Sequence, residues 1–309
     1  MILITEFMDT AAVDALSAAH PTTYAPELAD SQDQIPGLMS GVEALIVRNR
    51  TKVTDSLMEF APNLKCVGRL GVGLDNIDTE ACKRRDIKVI PATGANNLSV
   101  AEYVIANALI LLRNAYHSHE DMLAGTWPRM ACAGREVSGK TLGLIGFGAI
   151  ARETATSAAA LGMNIIAFDP LVAQDDPAWT TVRRGTLDQV LQISDVVSLH
   201  VPLTDDTRHL INKESLNLMK SSAVLINAAR GGVVDERALA NSLKDNALAG
   251  AALDVFETEP LTKESAEKFG GLKNLILTPH IAGVTEESNV RVSAMIAERV
   301  LEVLASAKP

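Results

Sequence analysis

Residues 141–170, TLGLIGFGAIARETATSAAALGMNIIAFDP, decide the fold. A short aliphatic run ends at Gly146-Phe147-Gly148-Ala149-Ile150-Ala151, a G-x-G-x-x-A pattern, and an alanine-rich helical run follows. A second aliphatic run then ends in Asp169, 21 residues after Gly148. The glycine pattern alone is weak. Strand before it, helix after it and an acid at that distance make it a strand–helix–strand unit of the dinucleotide-binding kind. Gly146 permits the tight turn, Gly148 lets a pyrophosphate approach the backbone, and Ala151 lets the helix pack close to the strand. Ala149 and Ile150 open that helix, whose unpaired N–H groups and positive dipole end suit phosphates. Asp169 accepts from a ribose diol and repels a 2′-phosphate, so NAD is expected rather than NADP.

The same alternation runs outward in both directions. MILITE (1–6), ALIVRN (44–49) and KCVGRLG (65–71) read as strands. TAAVDALSAAH (10–20), SLMEFAPN (56–63) and DTEACKRRD (78–86) read as the helices between them. One long helix is expected over residues 96–125, with Ser99 as N-cap and Glu102 completing a capping box. Beyond Asp169, VVSLHVP, AVLINAARG, AALDVFE and LILTPHIAG are short aliphatic strands ending in polar or turn residues. A last helix covers residues 285–305. Alternating strands and helices mean parallel sheets covered by helices, in two α/β units. No solenoid period is present.

At 309 residues the chain is long enough for two domains, and its 47% hydrophobic content fills two aliphatic cores. Net charge is −10 with no basic stripe, which argues against nucleic acid as a partner. Local arginines can still hold an anion. Cys66, Cys82 and Cys132 are odd in number and widely spaced, so free thiols in a reducing compartment are expected, and no metal. No 18-residue apolar run and no basic leader occur, so no membrane association and a cytoplasmic protein are expected.

Three polar residues end late strands: Arg230 in NAARGG, Glu259 in DVFETEP and His280 in LTPHIAG. Each alone has an ordinary reading: Arg230 pairing with Asp235 or Glu236, a solvated Glu259, a structural His280. Together they fit one chemistry. A histidine exchanges a hydroxyl proton, a carboxylate fixes its tautomer, and an arginine clamps a carboxylate.

At this point the sequence resembles the NAD-dependent D-2-hydroxyacid dehydrogenase family. The matching blocks are GRLGVGLDNID (68–78), GKTLGLIGFGAIAR (139–152), FDP (168–170), HVPLTDDTRHLIN (200–212), LINAARGGVVDE (225–236), AALDVFETEP (251–260) and TPHIAG (278–283). They occur in order along essentially the whole chain. The resemblance implies two Rossmann-like doubly wound parallel-sheet domains with a cleft between them. Residues 1–98 plus 284–309 would form a flavodoxin-like substrate-binding domain, and 99–283 the NAD-binding domain. It implies catalytic roles for Arg230, Glu259 and His280. It implies cofactor contacts at His200, Pro202, Thr207, Ala228, Asp254 and Gly283 besides the glycine loop. Leu70, Gly71, Val72 and Gly73 would hold the substrate carboxylate through backbone N–H groups. A homodimer is expected, with the 97–125 region and the following loop at its interface.

Arg48 and Arg50, in ALIVRNRTKVT, stand at i and i+2 and would share one face of a strand. Arg69 adds a third positive group. These arginines resemble those of the phosphoglycerate dehydrogenase branch. The expected substrate is thus a small 2-hydroxy or 2-oxo acid with a second anion, such as phosphoglycerate, sulfolactate or a dicarboxylate. Two alternatives share the scaffold: an NAD(H)-sensing, corepressor-type protein, and oxidation of formate or phosphite.

Overall fold

A computed structural model describes residues 1–306, so residues 307–309 of the expected 284–309 segment lie outside the described residues. The chain divides into two compact units, residues 1–96 with the segment from Val284 onward, and Asn97–Gly283.

The first unit holds strands β1 (Ile2–Ile4), β2 (Thr22–Tyr24), β3 (Ala44–Val47), β4 (Cys66–Arg69) and β5 (Lys88–Pro91). Their order is β2-β1-β3-β4-β5 and every pairing is parallel. This is the flavodoxin-like doubly wound order. Ile2, Ile4, Ile46 and Cys66 bury one face under Leu16 of helix Thr10–Ala19 and Ile296 and Val300 of helix Glu286–Ser306. Leu3, Leu45, Val47 and Val67 bury the other under Leu57, Met58 and Cys82. Strand side chains alternate, so a sheet covered on both faces needs strands without polar positions. The side chains of Asp9 and Asp78 accept backbone N–H groups at the starts of their helices, each worth about 1 kcal/mol. All three cysteines are free, and burial pushes the Cys66 thiol up to about 12, which keeps it unreactive.

The second unit holds β6 (Thr141–Ile145), β7 (Asn164–Phe168), β8 (Arg183–Arg184), β9 (Val196–Leu199), β10 (Val224–Asn227), β11 (Gly250–Leu253) and β12 (Leu275–Leu277). They pair in parallel in the order β12-β11-β10-β9-β6-β7-β8. Counted from β6, this is the dinucleotide-binding order with one more strand at the far edge. The strand order reverses between β6 and β9, and ligands of such sheets bind at the carboxyl ends of the strands beside that reversal.

Three local expectations are corrected. The long helix is Asn97–Arg113 and stops where Asn114 takes a left-handed conformation, φ 52°, followed by short turns at Tyr116–Ser118 and His119–Leu123. Asparagine tolerates that conformation, and apolar periodicity does not register it. Ser99 lies inside the first turn of this helix, because a turn at residues 93–96, with Gly94 at φ 91°, starts the helix at Asn97. SLMEFAPN supplies only the single turn Asp55–Met58. Among the described residues, no helix is long and apolar enough to cross a membrane.

Candidate active site

The glycine loop joins β6 to helix Ala149–Ala160. Gly146 has φ 87°, and a Cβ there would strike the carbonyl oxygen of His200, which follows β9. The two strand ends therefore meet closely at the reversal point, and only glycine fits. Gly148 differs. Its φ is −76°, and a Cβ there would have no protein atom within 4 Å. Nothing in the chain demands glycine at 148; a ligand lying on the backbone would. The helix it starts has no side-chain cap, so the N–H groups of its first turn, at exposed Ala149 and half-buried Ile150, remain as donors. Ala151 is fully buried, which is the close helix–strand packing the motif requires. These residues fit a dinucleotide pyrophosphate.

Asp169 follows β7. Its Oδ2 accepts the Phe147 N–H at 2.7 Å, and its Oδ1 accepts the N–H groups of Leu171 at 2.8 Å and Val172 at 3.3 Å. The carboxylate thus braces the glycine loop and its own loop together, and it keeps lone pairs for a diol. Phe147 stacks on Trp179 at 4.8 Å, and the Phe147 carbonyl accepts from Arg152 Nε at 3.0 Å. His200 Nε2 lies 2.9 Å from Ser198 Oγ, and burial pushes its pKa down to about 4, so the ring is neutral. Thr207 Oγ1 donates to the Pro202 carbonyl at 2.6 Å and accepts the Thr204 N–H at 2.8 Å. Thr207 and Pro202 together close the loop after β9.

The late strand ends assemble a second group. Ala228 follows β10, and buried Asn227 wraps the next turn. Its Oδ1 accepts the Ala229 N–H at 3.1 Å and its Nδ2 donates to the Arg230 carbonyl at 3.0 Å. Arg230 Nη1 donates to the Ala229 carbonyl at 2.6 Å. A Cβ at Gly231 would strike the Phe256 carbonyl, so the chain beside Arg230 lies directly on the loop that carries Glu259. Glu259 Oε1 accepts the Phe256 N–H at 2.9 Å, and Oε2 lies 2.7 Å from His280 Nδ1. Burial opposes ionisation of Glu259. The hydrogen bonds from His280 and Phe256 and the positive Arg230 outweigh it and hold the carboxyl below the ordinary range. An ionised carboxylate only accepts, so His280 Nδ1 carries a hydrogen and Nε2 is left to exchange a proton.

His280 has φ 55°, uncommon for a residue with a side chain and worth about 1–3 kcal/mol of strain. Asp254, 1% exposed, holds that turn. Its carboxylate accepts Thr278 Oγ1 at 2.6 Å and the N–H groups of Ile281 at 2.8 Å and Ala282 at 2.7 Å, while its carbonyl accepts the His280 N–H at 2.8 Å. Tyr103 Oη reaches Thr278 Oγ1 at 2.6 Å. Gly283 ends the turn and the unit. The Glu257 N–H donates to Glu236 Oε1 at 2.6 Å, and the Glu236 N–H donates to Glu257 Oε1 at 3.2 Å. Lys268 pairs with the buried Oε2 of Glu236, which has no other partner, and lies 3.7 Å from Glu257.

The first unit brings its own residues to the carboxyl end of its sheet. The loop of Leu70, Gly71, Val72 and Gly73 follows β4 and folds around Arg69. Arg69 Nε donates to the Gly73 carbonyl at 2.8 Å and Nη1 to the Leu70 carbonyl at 2.9 Å. A Cβ at Gly71 would strike this guanidinium. The Gly71 N–H is engaged by the Arg69 carbonyl at 2.8 Å, whereas those of Val72 and Gly73 have no acceptor among the described residues. The expectation that Arg48 and Arg50 share a strand face is corrected. β3 ends at Val47, so both stand in the loop beyond it, where side-chain alternation no longer applies. Arg50 is paired with Asp30. Arg48 Nη2 donates to Asn289 Oδ1 at 2.8 Å. Arg69 likewise serves its own loop. The sequence reading missed Asn227, Thr278, Tyr103 and Asn289, whose partners are distant in sequence or contacted through the backbone. It also missed Asn96, whose buried Oδ1 has no hydrogen-bond partner. A doubled asparagine after a glycine turn was the only sign of it.

Residues 105–282 match the family model described as the NAD binding domain of D-isomer specific 2-hydroxyacid dehydrogenases. The chain is 54% identical over 304 residues to the (S)-sulfolactate dehydrogenase of Chromohalobacter salexigens, covering 98% of each chain. It is 35% identical to the D-3-phosphoglycerate dehydrogenase of Synechocystis sp., across 98% of this chain and 54% of that one. Among solved structures, the D-lactate dehydrogenase of Aquifex aeolicus, complexed with NAD and lactic acid, superposes with a TM-score of 0.83 at 30% identity, covering 99% of this chain and 95% of the other. The glycine-loop unit carries the family's NAD-binding model, and the likeness to named 2-hydroxyacid dehydrogenases extends along nearly the whole sequence: the chain belongs to the D-isomer specific 2-hydroxyacid dehydrogenase family and is an NAD-dependent 2-hydroxyacid dehydrogenase.

Proposed function

We propose that His280 is the general acid/base of this reaction, Glu259 its orienting partner and Arg230 the clamp on the substrate carboxylate. The observation that carries this reading is the 2.7 Å contact between Glu259 Oε2 and His280 Nδ1. In the oxidative direction His280 Nε2 takes the hydroxyl proton of the acid, and the ionised Glu259 stabilises the resulting imidazolium. In the reductive direction the same atom returns the proton to the oxygen of the 2-oxo acid. Arg230 and the Val72 and Gly73 N–H groups neutralise the carboxylate and orient the C2 carbon. Gly146, Gly148, Ala149, Ile150, Asp169, His200, Pro202, Thr207, Ala228, Asp254 and Gly283 hold the cofactor, which when bound exchanges the hydride with C2. Asp254 also holds the turn that presents His280.

The substrate carries a second anion, recognised by Arg48. The relatives named for sulfolactate and phosphoglycerate, whose substrates have an anionic group at C3, support this. Arg50, paired with Asp30 in an exposed ion pair, is the lesser contributor to it. The protein works in the cytoplasm as a homodimer. Tyr116, Leu123, Trp127 and Met130 support the dimer: they stand 69–81% exposed within residues 116–130, an apolar stretch that a second copy would cover. A panel of 2-hydroxy acids with NAD+, followed by NADH absorbance, tests the reading. Turnover of acids with a C3 anion ahead of lactate supports it. Tight NADH binding with no turnover of any acid favours the sensing alternative.

A further inference from the structure

Three arginines stand near the carboxyl end of the first unit's sheet, and their surroundings differ. Arg50 is closed by the Asp30 carboxylate. Arg69 is closed by the carbonyls of its own loop. Arg48 is held otherwise. Its backbone is pinned from both sides. Buried Glu6 accepts the N–H groups of Arg48 at 2.8 Å, Arg50 at 3.1 Å and Thr51 at 2.9 Å. Asn76 Nδ2 donates to the carbonyls of Arg48 at 3.2 Å and Thr51 at 2.7 Å. The Glu6 carboxylate thereby spends its hydrogen bonds on backbone, and it acts on the guanidinium only through its charge. The guanidinium lies 6.0 Å from the centre of the Phe7 ring, and burial lowers its pKa. Its hydrogen-bond acceptor is the neutral side-chain oxygen of Asn289, in the first turn of helix Glu286–Ser306. One N–H of five is used, and the Asn289 amide keeps its NH2 end as a further donor.

We propose that Asn289 is a specificity-determining residue: it orients the half-buried Arg48 guanidinium as a socket for one singly charged anion at C3 of the substrate, a sulfonate rather than a phosphate monoester. The inference rests on the proposed recognition of a second anion by Arg48. A neutral acceptor aims the guanidinium without cancelling its charge, whereas a carboxylate at 289 would cancel it. The buried Glu6 carboxylate already acts on the guanidinium through space, so one guanidinium with one amide meets at most a single further negative charge. A phosphate monoester carries nearly two and is ordinarily met by several cations.

The test is steady-state oxidation of 3-sulfolactate, 3-phosphoglycerate and lactate with NAD+ by the wild type, Arg48→Ala, Asn289→Ala and Asn289→Asp. Thermal unfolding checks that each variant is folded, and Asn289→Asp keeps the packing in case the alanine variant does not fold. The wild type is expected to prefer sulfolactate to both other acids. Arg48→Ala should lower the ratio of kcat/KM for sulfolactate to that for lactate about 100-fold. Asn289→Ala should raise KM for sulfolactate about 10-fold at unchanged kcat, sparing lactate. Asn289→Asp should lose sulfolactate as severely as Arg48→Ala. If Arg48→Ala abolishes the preference while both Asn289 variants keep it within about twofold, the role of Asn289 is overturned and the recognition by Arg48 stands. If Arg48→Ala keeps the preference, or the wild type prefers lactate or turns over none of the acids, the underlying reading falls, and the inference with it. A wild type that prefers phosphoglycerate overturns the single-charge socket.

Discussion

Glu259→Gln isolates the pair on which the proposed chemistry depends. The glutamate makes two hydrogen bonds, accepting the Phe256 N–H at 2.9 Å through Oε1 and facing His280 Nδ1 at 2.7 Å through Oε2. An amide has only one acceptor end. The Phe256 N–H is fixed in the loop and demands that end, which turns the NH2 toward His280 Nδ1. Nδ1 then has to accept, the ring proton moves to Nε2, and Nε2 can no longer take the hydroxyl proton. The lost charge also matters. A hydrogen bond to a charged group is worth ~1.5–3 kcal/mol against ~0.5–1.5 for a neutral pair, so the weaker support of the imidazolium alone costs about tenfold. The wrong tautomer removes general acid–base assistance, a further factor of roughly 10²–10⁴. The assay is kcat/KM for the preferred acid with NAD+, beside NADH affinity by fluorescence. Affinity should be unchanged while kcat/KM falls at least 100-fold. A loss of less than about threefold would show that the tautomer does not matter and that Glu259 does not orient His280.

Other consequences are as direct. Gly148→Ala should change unfolding free energy by about 1 kcal/mol or less while raising the Kd of NADH about tenfold or more, since only a ligand comes close to that position; equal affinity removes the pyrophosphate cradle. Lys268→Ala leaves the carboxylate of Glu236, 2% exposed, without its counter-charge and should lower stability in urea by ~3 kcal/mol; a change under about 1 contradicts the buried pair. Glu43 is pulled down to about 2 by hydrogen bonds from Lys65, the N-terminal amine and His20. Its folded-state pKa is depressed, so its contribution is complete above pH ~4.5 and disappears as pH falls through about 2. For this partly exposed group that contribution is ~1–2 kcal/mol, and the stability gap between wild type and Glu43→Gln should close between those pH values; a gap independent of pH contradicts it. Trp127→Ser combined with Met130→Ser should shift the protein from dimer to monomer in sedimentation; a monomeric wild type refutes the dimer.

The parts of this protein legible in its sequence are those fixed by local covalent constraints. A turn that only glycine can make, a small residue under a helix and an acid one strand later all lie within residues 141–170, and the parallel sheet then brings every strand's carboxyl end to one edge. That is why Arg230, Glu259 and His280 could be picked out together from three separate segments. What stayed hidden depends on contacts between distant segments. Arg48 and Arg50 obey strand alternation only while the strand lasts. It stops at Val47, because Glu6, more than 40 residues earlier, captures the next N–H groups. The mate of Arg48, Asn289, lies 241 residues away. The family resemblance implies a cofactor contact for Asp254, and only the folded turn shows it holding His280 in a left-handed conformation. Helical periodicity likewise ran through Asn114, because the pattern records apolar faces and not backbone hand.

Whether His280 moves the proton in an NAD-dependent oxidation of a 2-hydroxy acid is decided by single-turnover reduction of NAD+ with His280→Ala and the preferred acid. His280→Ala should keep wild-type affinity for NAD+ and slow reduction by roughly 10²–10⁴-fold. Reduction within about threefold of the wild-type rate would contradict proton transfer by His280.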